Sequence, residues 1–114
     1  MTKGQITFDQ FLEIENKLEI RIGQILAAER IPKSKKLLKM LVIFGPNKED
    51  EKTVVTNLGD KFEPETFIGL FAPFIMNLTP SVMMGVESQA MIMVGEKADG
   101  TLQLERYSMG TKLL

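Results

Sequence analysis

The apolar positions of this chain change their period near residue 18, which divides it into a short helical start and a longer β-rich remainder. Ahead of the change, Phe8, Phe11 and Leu12 fall on one stripe of a helix predicted over residues 6–16. Thr7 and Gln10 have the spacing of a capping box, in which hydroxyl and amide each satisfy a free backbone N–H, and Ile6 and Phe11 stand at the positions of a hydrophobic staple. So short a helix is expected to cover one end of a larger body. Past it the period is two: Leu18, Ile20 and Ile22 alternate with Glu19 and Arg21. After Gly23 the phase slips, and Ile25 and Ala27 take over the inward parity. A one-residue slip at a glycine predicts a β-bulge, which would bend this first strand to serve both halves of a small barrel.

Further strands are predicted over residues 38–44, 53–58, 68–76 and 88–94. Gly45-Pro46-Asn47 supplies turn chemistry before an acidic tip at Glu49, Asp50 and Glu51. Between the third and fourth strands, residues 63–67 suit a single helical turn with Pro64 at its first position. Pro73 cannot donate to a ladder and is expected at an edge or a bulge. Asp99-Gly100 predicts a tight hairpin into residues 102–107. Five main strands with a helical turn between the third and fourth is the order of an OB-fold. The expectation is one all-β domain over residues 1–114: a five-stranded OB barrel with a short N-terminal helix and a C-terminal extension.

Composition narrows the chemistry. Among 114 residues there is no histidine and no cysteine, which removes the commonest general base, the commonest metal ligand and any thiolate site. No close pair of acids sits at an obvious turn or strand end, so an enzyme is not expected, nor a metal or cofactor. There is no run of about 18 apolar residues to span a membrane. The first residues lack the apolar stretch of a signal peptide, and a cytoplasmic location fits both observations. The formal net charge of −1 argues against indiscriminate binding to nucleic acid. Its distribution is uneven, however: Arg30, Lys33, Lys35, Lys36 and Lys39 follow one another with no acid between them. That is a restricted basic footprint, or a solvated lysine-rich loop.

Three stretches carry a family resemblance. They are Phe8-Asp9-Gln10-Phe11 followed by Leu18-Glu19-Ile20-Arg21-Ile22-Gly23-Gln24-Ile25, then Lys36-Leu37-Leu38, and finally Asn77-Leu78, Pro80 and Met84-Gly85-Val86-Glu87-Ser88-Gln89-Ala90-Met91. Together they resemble the tRNA-binding domain found at the C-terminus of bacterial methionyl-tRNA synthetases and as free-standing tRNA-binding dimers. A small export-related chaperone is among that family's members. The likeness runs from about residue 7 to residue 111. It implies an OB barrel and a non-catalytic tRNA-binding module, free-standing or auxiliary to a methionyl-tRNA synthetase. A peptide-binding chaperone of the same fold is the alternative.

On an OB barrel, nucleic acid crosses the second and third strands and the adjoining loops. Lys36 is then the leading phosphate contact, supported by Lys33, Lys35 and Lys39. Arg21 offers a planar fork to phosphate, or a salt bridge to Glu19 or Glu87. Asn57, Asn77 and Ser88 are small polar residues at strand ends that suit bases and 2′-hydroxyls, or the turns themselves. Met83, Met84, Met91 and Met93 gather at one end of the barrel, where at least two are expected to fill core gaps. Gly85 is expected to permit a tight turn. With one tyrosine and no tryptophan, recognition by backbone and shape is favoured over aromatic stacking. Phe71, Phe74, Ile75, the methionines and the terminal Leu113-Leu114 exceed what one barrel needs, so a homodimer is expected.

Overall fold

The computed structural model describes residues 3–96 and 102–103. Helix α1 spans Phe8–Lys17 and opens with the anticipated capping box. Thr7 N–H donates to Gln10 Oε1 (2.9 Å), and Gln10 N–H donates to Thr7 Oγ1 (3.1 Å). The helix buries none of its residues, however, and Phe8 is 71% exposed. The expected cover over the barrel end is therefore absent; Phe8 and Phe11 instead lie against each other, ring centroids 6.3 Å apart.

Strands β1 (Ile20–Arg30), β2 (Leu38–Ile43), β3 (Glu51–Thr56), β4 (Phe71–Ile75) and β7 (Met91–Ile92) form one antiparallel sheet in the order β3-β2-β1-β4-β7. A separate hairpin joins β5 (Ser81–Met83) to β6 (Val86–Ser88), and β8 (Gly95–Glu96) pairs with β9 (Leu102–Gln103). The sheet curls into the OB-type barrel predicted, with the helical turn Pro64–Thr66 between β3 and β4. The Asp99-Gly100 turn, residues 104–107 of the expected last strand and Leu113-Leu114 lie outside the described residues.

β1 does serve both halves: residues 20–24 pair with β4 and residues 24–30 with β2. The bulge falls three residues later than predicted. Pairing with β2 shifts between Ile25 and Ala27, leaving Leu26 as the extra residue. In consequence Gly23 and Ile25 face inward and Ala28, not Ala27, packs on the core, while Leu18 and Ile20 stay exposed. Gly23 has a different reason to be glycine. A Cβ there would lie 2.6 Å from side-chain atoms of both Phe44 and Val42, so the strand approaches its neighbours too closely for any side chain.

β4 begins at Phe71 rather than residue 68, because Gly69 turns the chain through a left-handed conformation (φ 87°). Pro73 is neither at an edge nor at a bulge. Hydrogen bonds from Met76 N–H to Glu19 O (2.8 Å) and from Ile25 N–H to Leu70 O (2.8 Å) set the parity of the β1–β4 ladder. Ile22 and Pro73 then face each other at a pair that exchanges no hydrogen bonds, and the missing N–H disrupts nothing on the β1 side. The core is filled by Ile25, Leu38, Met40, Val42, Val54, Phe67 and Phe74. None of Met83, Met84, Met91 and Met93 is buried, contrary to expectation: Met83 and Met84 belong to the short hairpin and Met91 and Met93 to the two-residue strand β7 and its exit, elements too short to fold their side chains onto the core.

The two margins of the curled sheet are joined by one backbone bond and by side chains that take the place of others. Gln89 N–H donates to Thr53 O (2.8 Å), and Gln89 Oε1 accepts from Thr53 N–H (2.8 Å). Ser88 Oγ accepts from Val55 N–H (2.9 Å) and donates to Ala90 O (3.0 Å). These bonds satisfy edge groups of β3 that would otherwise lack partners.

Candidate nucleic-acid interface

The basic loop between β1 and β2 is built by local hydrogen bonds. Ile31 is buried and anchors its start; Ile31 N–H donates to Leu37 O (3.1 Å), and Ser34 N–H donates to Ile31 O (3.1 Å). Ser34 Oγ then accepts from Lys36 N–H (3.3 Å) and Leu37 N–H (3.0 Å), a hydroxyl turn. Lys33 holds a left-handed backbone (φ 69°) in the middle. Across the fold, Gly59 N–H donates to Lys36 O (2.7 Å).

Arg30, at the end of β1, closes the arrangement. Its Nη1 donates to Gly59 O (2.7 Å) and to Lys35 O (3.3 Å), and its Nη2 lies 3.0 Å from Glu63 Oε2. Its charge is thereby matched. Lys33, Lys35, Lys36 and Lys39 are exposed and, among the described residues, form no ion pair. Four unneutralised ammonium groups on or beside one braced loop can bind a string of phosphates.

The chain that meets this loop also walls a groove. Asn57 and Leu58, just before Gly59, line an open cavity of about 370 Å³ together with Leu78, Thr79, Met83 and Met91. Its lining mixes these apolar side chains with the amides of Asn57 and Gln89 and the hydroxyls of Thr56, Ser81 and Ser88, a combination suited to an unstacked base or an extended apolar segment.

The sequence-derived candidates separate into two groups. Lys33, Lys35 and Lys36 share the loop, Lys39 follows on β2 opposite Glu29, and Asn57 is exposed on the groove beside them. Arg21 lies at the other end of β1, exposed and 3.4 Å from Glu19, so it does not join the lysines. Asn77 and Ser88 use their polar atoms within the fold. Asn77 Oδ1 accepts from Glu19 N–H (2.8 Å) and its amide donates to Lys17 O, tying the end of α1 to the start of β1. Ser88 is buried at the seam described above. Arg30, Gly59, Gln89 and Thr53 carry parts of this geometry that spacing did not reveal; the signals were the position of Arg30 in the basic run and that of Gln89 in the stretch that carries the family resemblance. Among the described residues no group of three or more carboxylates could hold a metal ion, and no helix is long and apolar enough to cross a membrane.

A curled five-stranded barrel with a braced basic loop beside an open groove defines a small nucleic-acid-binding module of OB type. The chain matches the family described as "Putative tRNA binding domain" over residues 20–111, and it belongs to that family. It is 42% identical over 101 residues to a methionine–tRNA ligase of Cytophaga hutchinsonii, a match that covers 89% of this chain and 14% of the ligase. The chain thus spans about one-seventh of that relative's length. Among solved structures it is similar to a MetRS-related protein from Pyrococcus horikoshii, with a TM-score of 0.79, 32% identity, and 96% of this chain and 94% of the other covered. The chaperone CsaA of Bacillus anthracis shares the fold, with a TM-score of 0.70 at 23% identity, 96% of this chain and 94% of that one being covered.

Proposed function

We propose that this chain is a non-catalytic tRNA-binding module of the cytoplasm, acting as a homodimer, free-standing or beside a methionyl-tRNA synthetase. The observation that carries this reading is the braced loop with Lys33, Lys35 and Lys36 in no ion pair among the described residues, in a member of a tRNA-binding family. Phosphate contacts supply affinity without identifying an anticodon, so the module raises the local concentration of tRNA rather than selecting one species. Two copies would present two basic loops to one tRNA and gain through effective concentration.

The test is a tRNA titration at several salt concentrations. If roughly three to five phosphates are neutralised, log affinity falls against log salt with a slope of about −2 to −4. Lys36→Glu should weaken binding and flatten the slope without lowering the melting temperature. A flat salt response in the native chain, or an unchanged affinity in the variant, overturns the reading. The apolar groove favours a second reading, a chaperone that takes an extended peptide. An unfolded peptide in the same titration, bound more tightly than tRNA, would establish that one instead.

A further inference from the structure

We propose that Arg30 and Gly59 are positioning residues for tRNA: they clamp the backbone of the basic loop in its binding conformation and touch no RNA themselves. The proposal deepens the tRNA-binding reading and rests on it. Arg30 would be counted with the lysines from the sequence, yet its guanidinium is occupied. One nitrogen holds two carbonyls, of Gly59 and Lys35, and the other holds the Glu63 carboxylate. A planar fork can serve three acceptors in two directions at once; a lysine ammonium on a flexible stem cannot hold that geometry.

Gly59 completes the clamp from the other side. Its N–H donates to Lys36 O, and its carbonyl accepts from Arg30. A Cβ at this position would lie 2.8 Å from Lys36 O, 3.0 Å from Lys36 C and 3.2 Å from Arg30 Nη1. Gly59 is not among the described glycines with positive φ, so an alanine is excluded by space rather than by backbone conformation. Gly59→Ala therefore pushes the loop away while removing no charge.

The consequence for binding is entropic. A lysine loop that must be ordered by RNA loses affinity to that ordering, whereas a loop already fixed does not. The left-handed backbone of Lys33 makes the point sharper, because without neighbours to over-determine it that conformation would relax.

The experiment measures tRNA affinity across a salt series for the native chain, Gly59→Ala and Arg30→Lys, with circular dichroism to establish that each is folded at the assay temperature. Both variants should bind about tenfold more weakly at fixed salt. Both should keep the native slope of log affinity against log salt, since neither loses a phosphate contact. A direct phosphate role for Arg30 predicts otherwise: Arg30→Lys, which keeps the charge, would retain near-native affinity, and that result overturns the proposal. Should Gly59→Ala fail to fold, Arg30→Lys carries the test alone. Amide hydrogen exchange at Ile31, Ser34, Leu37 and Gly59 gives a readout independent of RNA. Exchange there should be about tenfold faster in Arg30→Lys, with the strand interiors unchanged. Native protection in that variant overturns the clamp, while a native chain that binds no tRNA overturns only the function on which it rests.

Discussion

Ser88→Ala should destabilise the domain and leave RNA affinity alone, although Ser88 lies in the stretch that most strongly marks the family. Its hydroxyl sits at the seam of the barrel, accepting from Val55 N–H at 2.9 Å and donating to Ala90 O at 3.0 Å. Ser88 and Val55 are both about 6% exposed, so water has little access to the groups left behind. Removing the hydroxyl strands a buried backbone N–H, a loss of about 1–3 kcal/mol. The contact with Val55 O, at 3.5 Å, is too long to add much. For a domain of this size about 1 kcal/mol moves the melting temperature by about 4 °C, which places the expected fall at about 4–12 °C. The assay is thermal melting together with urea unfolding, in which the midpoint should drop and the slope stay constant. In parallel, tRNA affinity is measured well below the transition, where nearly all the protein is folded. An unchanged melting temperature with weakened tRNA binding would refute the reasoning and return Ser88 to the RNA surface.

Two further outcomes follow from exposed features. The hairpin between β5 and β6 turns on Met84 and Gly85, both with positive φ (50° and 81°), the two-residue turn for which Asn-Gly is the favoured sequence. Met84 is 54% exposed and loses no core packing on replacement, so Met84→Asn should raise the melting temperature by about 2–4 °C; no rise would show that the turn is not strained. For the proposed homodimer, one run of exposed apolar side chains extends from α1 to the start of β1, at Phe8, Phe11, Ile14, Leu18 and Ile20, whereas on β4 Phe74 is wholly buried. Light scattering at micromolar concentration should return twice the chain mass for the native protein and the single mass for Phe8→Glu; a native monomer defeats the idea.

What the sequence made legible was governed by how far apart the interacting residues are. The capping box of α1 was readable because Thr7 and Gln10 are three residues apart and answer only to each other. β2 was readable because burial on one face imposes a period of two; β3 and β4 bury consecutive residues and are legible as apolar runs between turn signals, and of the expected strand 88–94 the sheet keeps only Met91–Ile92. The hairpin of β5 and β6 was missed because three-residue strands are too short to display any period. Spacing puts the bulge at Gly23 because a glycine within a strand has two physical explanations, a kink or a close approach. Only the position of Phe44 and Val42 across the sheet decides between them.

The site divides along the same line, and the two arginines of β1 make the case. Arg21 and Arg30 belong to one strand and have identical chemistry, and from spacing alone either is a fair phosphate ligand. Arg21 meets Glu19, two residues before it in the chain, in a contact half open to water, and such a pair contributes little to stability. Arg30 meets Gly59 and Glu63, about thirty residues away in the chain, and so joins two loops that the sequence keeps apart. The lysine cluster was legible because charge needs no partner to be read. The residues that hold it in place were not, because a clamp is a relation between distant positions. Asn77 and Ser88 follow the same rule in reverse: their motif was plain, but Glu19 and Lys17, which meet Asn77, and Val55, which meets Ser88, lie 33 to 60 residues away, and those partners make the two side chains braces of the barrel.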